Sequence, residues 1–245
     1  MTGLSFDRGE YFDAVRAKPF GGSLTQQQVD GQEAILAAWE RRSRVSDDLR
    51  WLAYPLATTC HETDKTMWPI EEYGKGRGQP YGKPDPETGM AYYGRGFVQL
   101  TWKDNYQKAT DELELWEEKD LVWHPENALD LDIASNIMFI GMEEGWFRSG
   151  HKLSRYFNAQ VDDAFNAREI INGDKKTVPS WSHGASIGNL IKGYHGQFLA
   201  ALQASVREVV PELPEPVPET ETVITITVLV GVTGPAKVSV KARKT

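Results

Sequence analysis

At 245 residues, with 40% hydrophobic and 25% charged side chains, the chain can bury a full core, as one sizeable domain or one domain plus a small appendage. Its net charge is −8, and the four glutamates and four basic residues from Pro211 onward cancel, so the whole excess lies on residues 1–210. An acidic body of this kind excludes broad phosphate-backbone binding and so a nucleic-acid partner, one cysteine excludes an internal disulfide, and no run reaches the roughly 18 apolar residues of a membrane span.

The first residues, MTGLSFDRGEYFDAV, lack a basic segment followed by an apolar one, and together with the lone cysteine this predicts a cytoplasmic location on synthesis. Ser5 is predicted to begin a short amphipathic helix that buries Phe6, Phe12 and Val15. Thr25 and Gln28 form a capping box for a helix reaching about Arg42, with Val29, Ile35, Leu36 and Trp39 inward. Ser46 is predicted to cap a third helix, whose Leu49, Leu52, Ala53, Leu56 and Cys60 recur at helical spacing. Residues 74–96 are dominated by glycine and proline and read as loop or an irregular hairpin. Helical texture returns at Thr101, and further helices are expected near 131–144, 161–171 and 186–206, with strand signals nearly absent before residue 220. The fold class is therefore mainly α, over a domain spanning 1–208. Residues 209–222 are rich in proline and glutamate and read as an extended linker. Residues 223–245 alternate β-branched side chains about a Gly-Pro break, which predicts a short β-strand tail. A lone hairpin is marginal in water, so the tail is expected to support a homo-oligomer or to dock on a partner or the body.

The stretch CHETDKTMWPIEEYG, residues 60–74, concentrates the candidate chemistry. His61-Glu62 begins an HExxH pattern, but Lys65 stands where the second histidine belongs, so no metal or other cofactor is expected. Cys60 lies on the apolar stripe of its helix, with His61 pointing about 100° away, which favours a core cysteine over a thiol nucleophile. Glu62 ends an apolar helix, and Glu71 and Glu72 follow beyond the break at Pro69. Two carboxylates held apart are the requirement of an inverting glycosidase. The same acids also fit a solvated helix end, and spacing alone leaves both open.

The motif AYYGRGFVQLTWKDNY, residues 91–106, adds a specific signal. Combined with His61-Glu62-Thr63 upstream and with Arg168, Asn172 and Gly173 in AREIINGD, it resembles the family 19 glycoside hydrolases, over roughly residues 45–200. The resemblance implies a lysozyme-like, two-lobed helical domain with a small irregular hairpin region. It implies Glu62 as general acid, Glu71, nine residues on, as general base in preference to its neighbour Glu72, which stays the alternative, and Thr101 as a hydroxyl that helps hold the attacking water. Gln99, Asn105 and Asn172 would bind N-acetyl groups and hydroxyls, Tyr92 and Tyr93 would wall the cleft, and Arg168 would pair with a catalytic carboxylate. Arg95, between two glycines, reads as structural. The sequence departs from the family where TDKTM replaces a glycine-rich turn, at Phe97-Val98, and at Asp174 after Asn172-Gly173. The expected activity is endolysin-like hydrolysis of β-1,4 bonds in peptidoglycan, reached through another factor's release. A chitinase on the same fold is the nearest alternative, and a non-catalytic glycan-binding or virion structural protein is the second.

Overall fold

The computed structural model describes residues 3–42, 46–209, 223–229 and 235–241. The described part is mainly α-helical and falls into two units, one ending at Val209 and one holding a C-terminal hairpin. In the first unit, strand β1 (Gly3–Phe6) leads into α1 (Arg8–Ala17), α2 (Gln26–Arg41) and α3 (Arg50–Glu62). The two-residue strands β2 (Ile70–Glu71) and β3 (Arg95–Gly96) follow, then α4 (Lys103–Glu112), α5 (Leu131–Glu144), α6 (Leu153–Tyr156), α7 (Ile187–Ser205) and β4 (Val206–Val209).

α3 is the central element. Every residue from Trp51 to Cys60 is buried, as for a helix surrounded by others rather than one with a single inward stripe. It packs chiefly on α7. Each fully buried side chain such as Leu52 or Leu56 contributes about 2 kcal/mol through apolar surface removed from water. Cys60 sits in this core as expected, and burial pushes its thiol up to about 12, where it stays protonated and inert. Ion pairs tie the outer helices together. Arg8 on α1 binds Glu33 and Glu40 on α2, and Arg42 forms a two-pronged pair with Glu143 of α5.

Several expectations need correction. Ser5 lies in β1, not in a helix; Asp7 caps α1 by accepting from the Glu10 amide, and Tyr11 and Val15 are the buried residues of that helix. β1 pairs antiparallel with β4, from Gly3 opposite Val209 to Phe6 opposite Val206. This long-range pairing is invisible to local periodicity, and it places Val209 in a strand rather than in the linker. Ser46 does not cap α3; Asp48 accepts from the Arg50 amide instead. The helix expected over 161–171 is a 3-10 turn at Asn166–Ile170. The capping box of Thr25 and Gln28 forms, and α5 and α7 lie where the periodicity puts them. In the second unit, β5 (Val223–Leu229) pairs antiparallel with β6 (Pro235–Lys241), Val223 opposite Lys241. The expected linker over 210–222 lies outside the described residues.

His195 on α7 yields a pH prediction. It is 5% exposed, its ring stacks on Phe157 at 5.1 Å, and neither ring nitrogen has a hydrogen-bond partner among the described residues. Burial pulls its pKa down to about 4. Below pH 6.5 the unfolded chain takes up a proton that the folded chain refuses until about pH 4. Stability therefore falls by about 3 kcal/mol as pH drops through that window, and the loss levels off below it. His195→Phe keeps the stack and removes the proton, so its melting temperature should decline less between pH 6.5 and 4. Parallel declines in the two proteins would contradict this assignment.

Candidate active site

The catalytic candidates meet where α3 ends. Glu62 is its last residue. The chain then turns through TDKTM with Asp64, Lys65 and Met67 all at positive φ (49°, 62° and 55°). This is left-handed backbone that glycine adopts freely, so three non-glycine residues hold the turn at a conformational cost. Tertiary contacts offset that cost. The Thr63 hydroxyl donates to the Thr59 carbonyl and accepts from the Met67 amide, the Gln28 side chain donates to the Lys65 carbonyl, and Met67 is fully buried.

β2 then pairs with β3, Glu71 opposite Arg95, and the pairing continues as the Glu72 amide donates to the Gly94 carbonyl at 2.7 Å. Successive strand residues point to opposite faces, so Glu71 and Glu72 diverge. Glu71 Oε1 accepts from the Tyr93 hydroxyl at 2.5 Å and lies 3.5 Å from Arg95 Nε, while Oε2 lies 2.8 Å from the Lys75 ammonium. Lys75 first, then Tyr93, hold the Glu71 carboxyl below the usual carboxylate range. Glu72 accepts from the Gly94 amide at 3.2 Å and from the Tyr81 hydroxyl at 3.5 Å.

A cleft of about 490 Å³ opens here. Of the residues singled out in the sequence, Glu62, Gln99, Thr101, Asn105, Arg168 and Asn172 all line it, although 110 positions separate the first from the last. Glu71 does not line it; its strand neighbour Glu72 does. Tyr92 and Tyr93 do not wall it either. Tyr92 is buried and donates to the Val122 carbonyl, and Tyr93 lies under the Arg95 guanidinium, 3.7 Å from its ring centre. Arg95 is 5% exposed and donates to the Ala91 carbonyl and the Tyr106 hydroxyl, in keeping with a structural role. Tyr81, Trp102 and Phe147 line the cleft without having been singled out. The chain holds eight tryptophans and nine tyrosines, and no local motif marks which aromatics face a cavity.

The QLTW turn is tightly wired. Gln99, at φ 55°, donates to the Ile70 carbonyl and so joins the turn to β2. A Cβ at Gly94 would lie 2.8 Å from Gln99 Oε1 and 3.3 Å from Gln99 Cβ, so the Gln99 side chain packs closely over this glycine. Thr101 Oγ1 donates to the Gln99 carbonyl and Asn105 Nδ2 to the Thr101 carbonyl.

On the opposite side of the sequence, Arg168 is 3% exposed and donates to Glu62 through Nη1 and to Asp174 through Nε and Nη2, at 2.7 and 3.0 Å. Burial opposes its charge, but Glu62 and Asp174 outweigh that and raise its pKa. Burial likewise works against the charge of Asp174, yet the Arg168 hydrogen bonds hold it below the usual range. One cation thus serves two carboxylates. With Asp174 bound to it through two nitrogens, the buried Arg168 guanidinium does not depend on Glu62 alone for a counter-charge. His61 leans against Trp181, with ring centres 6.4 Å apart, and burial lowers its pKa.

No protein-family model matches the chain, and no curated protein sequence matches it. Among solved structures the chain is similar to a bacterial family 19 chitinase, at 23% identity over 80% of this chain and 94% of that one, with a TM-score of 0.48. It is also similar to chitinase C from Streptomyces griseus HUT6037, at 22% identity over 81% and 91% with a TM-score of 0.46. A chitinase C mutant aligns at 21% identity over the same shares, with a TM-score of 0.45.

Proposed function

We propose that the chain is an inverting glycoside hydrolase acting on β-1,4 bonds next to N-acetylated amino sugars, with peptidoglycan as its substrate. The observation that carries this reading is the single cleft in which Glu62, Thr101 and the amides of Gln99, Asn105 and Asn172 converge. Glu62 is the general acid. Its carboxyl is mostly buried at the end of α3, lines the cleft, and is held in place by Arg168, which also binds Asp174. Glu71 is the general base. An inverting base does not touch the sugar but acts through a water, so it need not line the cleft; what supports Glu71 is a carboxylate 31% exposed and kept ionised by Lys75 and Tyr93. Thr101 holds that water, and the three amides hold acetamido groups and hydroxyls.

The test is mass spectrometry of products released from purified sacculi and from N-acetylglucosamine oligomers. Reducing-end fragments from sacculi are expected. Turnover of the oligomers alone would replace peptidoglycan by chitin, and turnover of neither would remove the enzyme reading.

The shared cation gives a second check. Asp174→Asn removes the carboxylate that accepts from Arg168 Nε and Nη2, so the guanidinium that also holds Glu62 loses its anchor. Hydrolysis of sacculi should fall about tenfold, the loss expected for one charged hydrogen-bonded partner. Unchanged hydrolysis would disconnect Asp174 from the acid.

A further inference from the structure

The cleft holds three features that neither acid nor base accounts for. Trp102 is 50% exposed, which is unusual for so large an apolar side chain, and it faces the cleft. Its backbone stands at φ 78° and ψ 136°, a conformation close to glycine-only space. Strain of this kind in a bulky residue persists only where surrounding structure fixes it. Here the Trp102 amide donates to the Tyr92 carbonyl at 2.9 Å, and the Asn105 amide donates to the Trp102 carbonyl at 3.0 Å. Tyr81 meets the indole edge-on, with ring centres 5.1 Å apart and planes at 78°. The Tyr81 hydroxyl donates to Glu72, whose other oxygen accepts from the Gly94 amide. One wall therefore runs from an indole face through a phenol to a carboxylate that has spare lone pairs toward the cleft.

Resting on the glycosidase reading, we propose that Trp102, Tyr81 and Glu72 form a sugar subsite, in which a pyranose ring stacks on the Trp102 indole while its hydroxyls donate to Glu72. The apolar face of a sugar matches an indole, and its equatorial hydroxyls match a charged acceptor. Glu72 also restricts which sugar fits. Its carboxylate accepts from hydroxyl or amide donors and repels an anion, so the subsite takes a glucosamine-type ring and rejects one carrying a lactyl carboxylate. Glu72 is thus a binding residue, distinct in role from its strand neighbour Glu71.

The test uses the full chain carrying Glu62→Gln, so that ligand is bound without being cut, with the N-acetylglucosamine tetramer as probe and titration calorimetry as readout. Adding Trp102→Gly or Glu72→Gln should each weaken binding about tenfold, the loss expected for one stacking or charged hydrogen-bond contact. Trp102→Phe should restore most of the affinity. Trp102→Gly gives up the buried half of the indole and its contact with Tyr81 but relieves the strain at φ 78°, so the melting temperature should stay within a few degrees of the parent's. Unchanged affinity in Trp102→Gly and Glu72→Gln would overturn the subsite. A large fall in melting temperature together with lower affinity in Trp102→Gly would also overturn it, since that is the signature of a structural tryptophan. Failure of the Glu62→Gln parent to bind the tetramer, with binding to purified sacculi kept, would overturn the subsite alone; failure to bind either would overturn the glycosidase reading, and the subsite with it.

Discussion

Glu62→Gln should reduce hydrolysis of sacculi by roughly 10²–10⁴-fold, the share a positioned general acid supplies, while leaving the fold in place. The amide keeps an acceptor for Arg168 Nη1, and Arg168 keeps its two hydrogen bonds to Asp174, so no buried cation is stranded. The melting temperature should therefore stay within a few degrees of the parent. Activity close to the parent's would remove Glu62 from the chemistry. Binding retained without cleavage in both the parent and the variant would favour a non-catalytic glycan-binding protein.

Gly31→Ala should be the most damaging small substitution. Gly31 lies buried on α2, and a Cβ there would sit 1.7 Å from the Met67 carbonyl oxygen and 2.8 Å from its carbon. Both are backbone atoms, so no side-chain rotation relieves the clash. The turn that carries the chain from Glu62 to β2 must move, or α2 must. The helix gains about 1 kcal/mol in propensity from alanine, against a cost of about 3 kcal/mol or more for overpacking a rigid contact. The net effect should lower the melting temperature by roughly 5 °C or more and reduce activity as well, because Glu62 and Glu71 flank the displaced turn. A melting temperature at or above the parent's would show that α2 and the turn do not approach this closely.

Much of the helical frame was legible locally. The Thr25–Gln28 capping box, the span of α5 and the span of α7 follow from caps and 3.6-residue periodicity, which depend on neighbours in the chain. β1 and β4 were not legible, because each is four residues long and becomes a strand only by pairing with the other end of the unit. α3 was legible as a helix but not as the buried centre, since burial on all sides blurs the periodic stripe.

The site divides in the same way. The residue types needed for the proposed chemistry were set by the sequence: Glu62 at a helix end, carboxylates past Pro69, and amides in the QLTW and IING segments. Only the tertiary structure decided which of them share a cleft. It brought Glu62, Thr101 and Asn172 to one cavity, turned Tyr92 and Tyr93 away from it, and placed Glu72 rather than Glu71 on its wall. The physical reason is that strand alternation, the pairing of β2 with β3, and the shared Arg168 act between segments far apart in the chain, and their outcome is not written in any one segment.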